Sequence, residues 1–184
     1  SEIPLASCGI VMKTNGILMA VIIGISQGSQ PILGFNYGAR QYQRVREVFK
    51  LAISCALAVS AAGFLMFQLF PGYIISVFGS GDAQYMEFAV KFMRTFLFMV
   101  LINGVQMLSS SMFSAIGKPL KGALLSLTRQ VFFVIPLILV LPLIFGIDGV
   151  LYAGPVADGA AFLLSVFLVS REFRKMREME KEIV

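Results

Sequence analysis

The sequence predicts an all-α transmembrane protein with about five membrane-spanning helices. Three observations carry that expectation. First, 58% of the 184 residues are hydrophobic and 14% are charged, against about 45–50% and about 25% in an ordinary soluble domain. Second, five apolar stretches are long enough to cross a bilayer core of about 30 Å, which takes about 20 helical residues at about 1.5 Å each. Third, the lysines and arginines crowd into every second connector. A soluble domain of this size has no means of hiding five such stretches.

The first stretch covers residues 11–33. Its apolar centre is followed by Gln27-Gly28-Ser29-Gln30-Pro31. Gly16, Gly24 and Gly28 recur along it, and small residues of this kind usually mark close helix packing in membranes. Lys13 and Asn15 stand near its start, where a lysine can snorkel to the interface. Residues 34–50 read as a basic loop leading into a short amphipathic helical start. The second span covers residues 51–70 and is broken by Pro71-Gly72. Residues 76–84, with Gly79-Ser80-Gly81-Asp82, read as a turn-rich loop.

The third span covers residues 92–116 and stops at Gly117-Lys118-Pro119, a helix stop followed by a proline. The fourth covers residues 122–145 and contains Pro136 and Pro142, which predict kinks. Gly146-Ile147-Asp148-Gly149 reads as a tight turn. The fifth covers residues 150–169, with Pro155 near its start. Residues 171–184 alternate in charge and read as a solvated helical tail.

Charge placement predicts the orientation. The connectors 34–50 and 117–121 and the tail hold Arg40, Arg44, Arg46, Lys50, Lys118 and Lys121, with the remaining cations of the tail. The opposite side offers Lys91 and Arg94, with Lys13 near the start of the first helix. Positive connectors stay in the cytoplasm, so the expectation is a multi-pass protein of the cytoplasmic (inner) membrane with its C-terminus cytoplasmic. Five spans then put the N-terminus outside, which calls for an earlier helix. Together with an opening Ser1, this predicts a segment of a longer protein.

The net charge of +5 does not indicate nucleic-acid binding, because the cations are split among short connectors and form no contiguous polar face. There is no histidine, and the two cysteines, Cys8 and Cys55, lie in apolar settings. They read as small hydrophobes. A metal site and a Cys/His nucleophile lack their ligands and base, so neither an enzyme nor a bound cofactor is expected.

Polar groups at lipid depth are costly and call for a reason. Gln27 and Gln30 share a helix face and line a cavity or bond to a neighbouring helix. Asn103 and Gln106, in the middle of the third span with Ser109, Ser110 and Ser111 nearby, are the deepest uncharged pair. They either face a cavity for a cationic or polar solute or join two helices. Arg129-Gln130 lies in the fourth span. Arg129 either snorkels inward or pairs with an acid, and Asp158 on the fifth span is the one acid clearly within a span. At about 1.5 Å per residue, Asp158 lies about 12 Å below the outer edge and Arg129 about 10 Å above the inner one. A direct pair therefore needs Arg129 to reach upward or the helices to tilt. Asp158 otherwise binds a proton or a cation, or serves a structural role. The 17 Phe and 10 Met read mainly as lipid-facing filler, although in a cavity they suit bulky lipophilic cations.

Several motifs carry a resemblance. Gly28-Ser29-Gln30-Pro31-Ile32-Leu33-Gly34-Phe35-Asn36-Tyr37-Gly38-Ala39 resembles the signature closing the eighth helix of multidrug and toxic compound extrusion (MATE) transporters. Ser114-Ala115-Ile116-Gly117-Lys118-Pro119 is similar to the end of their tenth helix. Leu127-Thr128-Arg129-Gln130 with Ile135-Pro136-Leu137 resembles the eleventh. Gly146-Ile147-Asp148-Gly149-Val150, continuing through Ala153-Gly154-Pro155-Val156-Ala157-Asp158, resembles the turn into the twelfth. Order and spacing agree over nearly the whole chain, nearest the bacterial multidrug-efflux branch.

The resemblance implies helices eight to twelve of a twelve-helix transporter built of two six-helix lobes. The whole N-terminal lobe and the seventh helix would lie outside this chain. It also implies export of drugs and organic cations in exchange for Na⁺ or H⁺ by rocking of the lobes, with the bilayer and the other lobe as partners. The candidate cavity lining is then Asn103, Gln106, Gln27, Gln30 and Asn36, and the candidate ion-coupling residues are Asp158 and Arg129. The acids that bind the coupling ion in the N-terminal lobe of many members have no counterpart here. The third span holds no acid, so the tenth-helix cation site of other members is not carried over. Two other functions stay open: a flippase for lipid-linked saccharides, which needs a cationic cavity, and a non-transporting membrane fragment.

Overall fold

The computed structural model describes residues 3–78 and 83–182, apart from the side chains at 3–5, 147, 150 and 151. The described residues form helices and short turns. Helix α1 (Ile3–Gly38) and α2 (Tyr42–Leu69) are followed by the short α3 (Pro71–Phe78). Then come α4 (Ala83–Phe96), α5 (Val100–Ala115) and α6 (Pro119–Leu127). A π-helical segment (Thr128–Val134), α7 (Ile135–Phe145) and α8 (Ile147–Lys181) complete the chain. Four helical stretches are long and apolar enough to cross a membrane, and α4 with α5 make a fifth when taken as one bent span.

The basic connector is far shorter than the sequence suggests. Helix α1 runs on to Gly38 and α2 begins at Tyr42. Arg40, at φ 58°, makes the reversal, where a glycine would be usual. The Gln41 N–H donates to the Asn36 carbonyl (2.9 Å) and the Arg40 N–H to that of Tyr37 (3.1 Å). These bonds take up carbonyls that the helix end leaves free.

The stretch read as one span over residues 92–116 is broken at Leu97–Met99 and bent by 47°. No proline or glycine lies at the break. The chain tightens into i→i+3 bonds, Phe98 N–H to Thr95 O (3.3 Å) and Val100 N–H to Leu97 O (3.1 Å). Buried Leu97 and Val100 thereby join Phe92, Met93, Ile75 and Val11 in one apolar cluster. A second cluster fills the other half of the bundle, from Leu33 and Val45 through Met112 and Phe113 to Val169 and Met176.

Pro136 of the fourth span acts through a change of helix type, whereas Pro142 stands within the regular α7. The π segment ends just before Pro136, whose ring would meet the Phe132 carbonyl in an α-helix. There the Ile135 N–H reaches back five residues to Gln130 O. Gly146, at φ 61°, ends α7, and α8 then continues without a break through the charged segment to Lys181. The turn-rich residues Gly79, Ser80, Gly81 and Asp82 lie outside the described residues.

The glycines that pack are not the ones that recur along the first span. A Cβ on Gly16, Gly24 or Gly28 would meet nothing within 4 Å, so these residues line an open face of α1. Close approach is made instead by α2, where a Cβ on Gly63 would stand 2.7 Å from Leu18 Cδ2. Ala52, Ala56, Ser60 and Gly63 form a buried stripe there, and such small residues let membrane helices pack closely.

Candidate functional site

One face of α1, one face of α5 and the α6–π junction enclose a polar cleft of about 580 Å³. Helix α1 contributes Asn15, Met19, Ile23, Ser26, Gln27 and Gln30, spaced three or four apart as one helix face requires. Helix α5 contributes Asn103, Gln106, Met107, Ser110, Ser111 and Ser114 at the same spacing. Ser126 and Arg129 close the third wall.

Some of these groups hold the walls together. The Gln30 Nε2 donates to Ser111 Oγ at 2.6 Å, joining α1 to α5. The Gln106 Nε2 donates to the Leu125 carbonyl at 3.1 Å, and Gln106 is buried. Leu125 lies just before the α-helix gives way to the π segment, where carbonyls change partners. Ser110 Oγ donates to the Gly122 carbonyl (2.7 Å) and lies 2.8 Å from Ser126 Oγ. Other groups are left for the cleft. The Asn103 amide has no protein partner among the described residues. Asn15 Oδ1 is a buried acceptor, also without a partner.

The structure resolves the open question about Arg129. It pairs directly with Asp158: Nε donates to Oδ1 at 2.7 Å and Nη2 lies 2.6 Å from the same oxygen. Asp158 is 6% exposed and stands behind the guanidinium, among Ala153, Ala157 and Ala161 on α8. These small neighbours let α8 approach closely enough for the pair to form. Arg129 is the one charged residue of the cleft wall, and Asp158 balances it. Asn36 lies elsewhere. It is buried near the end of α1 and donates to the Ile32 carbonyl at 2.8 Å.

The sequence reading named seven candidates, of which the structure brings Gln27, Gln30, Asn103, Gln106 and Arg129 into one cleft, puts Asp158 directly behind it and leaves Asn36 outside. It missed Ser26, Ser114 and Ser126, and it read Asn15 only as part of a helix start. A serine in a membrane helix commonly satisfies itself on its own backbone, so its presence says little. The usable signal was the spacing 15, 19, 23, 26, 30 matched by 103, 107, 110, 114.

The two ends of the bundle carry ion pairs. At one, Lys91 bonds both oxygens of Asp148, each at 2.8 Å. At the other, buried Glu172 accepts from Lys118 through Oε1 and from Lys121 through Oε2 (2.9 Å), while Arg46 pairs with Glu180 at 2.8 Å. Burial works against the Lys118 ammonium, yet the hydrogen bond and charge of Glu172 hold its pKa above the ordinary lysine value.

A MatE family model matches residues 1–140. The chain belongs to the MATE family. Among curated MATE relatives, the Multidrug export protein MepA of Staphylococcus haemolyticus (strain JCSC1435) is 27% identical over 90% of this chain and 36% of its own length. The protein of the same name from Staphylococcus aureus (strain MSSA476) is 25% identical, again over 90% and 36%. The chain thus spans about a third of the length of these relatives. The MATE fold is seen equally in solved structures. An outward-facing multidrug resistance MATE family transporter of the MOP superfamily superposes with a TM-score of 0.89 at 17% identity, over 96% of this chain and 40% of that one. An inward-facing one gives 0.82 at 17% identity, over 91% and 39%. The chain is thus a helical membrane segment of MATE type, and its named relatives are export proteins.

Proposed function

We propose that this chain forms the C-terminal part of an antiporter that exports drugs and organic cations across the cytoplasmic membrane, driven by Na⁺ or H⁺. The observation that carries the reading is the cleft itself. Its volume suits a drug-sized solute. Its walls offer amide and hydroxyl oxygens to a cation, and Met19, Ile23 and Met107 to an apolar body. Its one cationic group is balanced by Asp158, so a positively charged solute meets no net repulsion. Neutralising Asp158 with a coupling ion would leave the Arg129 charge uncompensated beside the solute and favour its departure. Asp158 is thus the coupling group and Arg129 its positioning partner. The rest of the transporter, including the opposing lobe, would close the cleft from its open side, and the C-terminal tail would lie in the cytoplasm.

A lipid-linked saccharide flippase would need a cationic cavity for pyrophosphate, and a guanidinium already paired with Asp158 supplies little of one. A non-transporting fragment is separated from the lead reading by ion-gradient-dependent ethidium efflux from cells carrying the complete reading frame.

Asn103→Ala is the cleanest test, because that side chain holds no other part of the wall. In the complete transporter it should raise susceptibility to several organic cations by about two- to tenfold, the worth of one hydrogen bond, with unchanged protein level. Gln106→Ala should do the same with some loss of stability, because it also frees the Leu125 carbonyl. Wild-type resistance in both variants across several cations would remove the cleft as the binding site.

A further inference from the structure

A second cavity, of about 570 Å³, lies where the apolar part of α8 ends. It is lined by Lys121 of α6 and by Leu168, Arg171, Glu172, Arg174, Lys175 and Glu178 of α8. Four cations thus face two acids. Glu172 is only 2% exposed, and both its oxygens are taken up by Lys118 and Lys121. Glu178 alone remains to balance Arg171, Arg174 and Lys175, so the groove is an excess-positive site.

Its surroundings are apolar on one side. Leu124 follows Lys121 by three residues on α6 and is 59% exposed; Phe167 precedes Arg171 by four on α8 and is 61% exposed. Residues so spaced share a helix face. The groove therefore opens onto an exposed apolar surface, with its cations where that surface ends. A soluble anion would use only the charged half of this arrangement. An amphiphile with an anionic head would use both.

We propose that the groove binds the phosphodiester head of an anionic glycerophospholipid, with its acyl chains lying along Leu124 and Phe167. Arg174 and Lys175 are exposed and are free to grip the phosphate, whereas Lys121 both contacts Glu172 and reaches the groove. Basic pockets between helices at a membrane surface suit such heads, each cation adding about a tenfold increment at most. A lipid bound here would brace α6 against α8 at the end where the ion pairs gather.

The test is native mass spectrometry of the full chain, delipidated in neutral detergent and titrated with phosphatidylglycerol, phosphatidylcholine or inorganic phosphate. Phosphatidylglycerol should bind at least about tenfold more tightly than phosphatidylcholine. The double variant Arg174→Gln/Lys175→Gln should lose about thirtyfold of that affinity. The variant Arg177→Gln/Lys181→Gln removes the same charge from exposed positions outside the groove and should change it by less than about threefold. Circular dichroism and melting temperature confirm that both variants fold. Equal losses in the two variants, equal binding of the zwitterionic lipid, or displacement by millimolar inorganic phosphate would each overturn the proposal.

Discussion

Asp158→Ala should destabilise the helical bundle by about 3–5 kcal/mol, the usual result of removing one partner from a buried ion pair. The size follows from where Asp158 sits. It is 6% exposed, and it gives one oxygen to both Nε and Nη2 of Arg129. Without it, a guanidinium at membrane depth keeps its charge and loses its counter-ion. Arg129 borders the cleft, so some of the loss is recovered by hydration, which places the expectation nearer 3 than 5 kcal/mol. The double variant Arg129→Met/Asp158→Leu should recover most of the stability, because a pair of apolar side chains needs no compensation at this depth. Thermal melting in detergent measures both. If Asp158→Ala melts within about one degree of the unaltered chain, the pair is not closed in solution. Transport separates the structural role from the functional one. The double variant should fold yet lose its dependence on the ion gradient.

Gly122→Val should have the next largest effect, about 3 kcal/mol, at the upper end of what overpacking costs. A Cβ at this position would lie 2.6 Å from the Ser110 carbonyl oxygen and 2.8 Å from Ser114 Oγ. The closer atom is backbone, so no side chain can turn aside to make room. Helices α5 and α6 would have to part. The Ser110–Gly122, Ser110–Ser126 and Gln106–Leu125 contacts would then open together, and with them the inner wall of the cleft. Export should fall along with the melting temperature. The matched control is Gly24→Ala on the open face of α1, where a Cβ meets nothing within 4 Å. It should be neutral or slightly stabilising, since alanine loses less backbone freedom than glycine in a helix. Equal effects at the two positions would mean that the α5–α6 contact is not close.

Gly24 and Gly122 also show how sequence and fold divide the information. Both stand in apolar helices, and pattern alone favoured the recurring glycines of α1 as the packing site. The tight contacts fall instead at Gly63, Gly122, Gly149 and Gly154, because closeness depends on which face a neighbour covers. The break at Leu97–Met99 is similar. Nothing in its composition interrupts a helix, and the bend arises where Leu97 and Val100 turn into a cluster shared with α1 and α3. Asn36 was grouped with the cavity residues by its motif, yet its side chain closes on Ile32 in its own helix.

The sequence by itself determined that the chain is a membrane bundle, roughly where its spans lie, which family motifs it carries and which amides at lipid depth were worth watching. These are properties of single helices: hydropathy, length and the three-to-four-residue spacing of one face are local and survive without knowledge of neighbours. Only the tertiary structure decided that Gln27, Gln30, Asn103, Gln106 and Arg129 share one cleft, and that Arg129 reaches Asp158. Those outcomes depend on how the helices are placed against one another, on the change from α to π turns ahead of Pro136 and on the small residues that let α8 come close. Each arises between helices rather than within one.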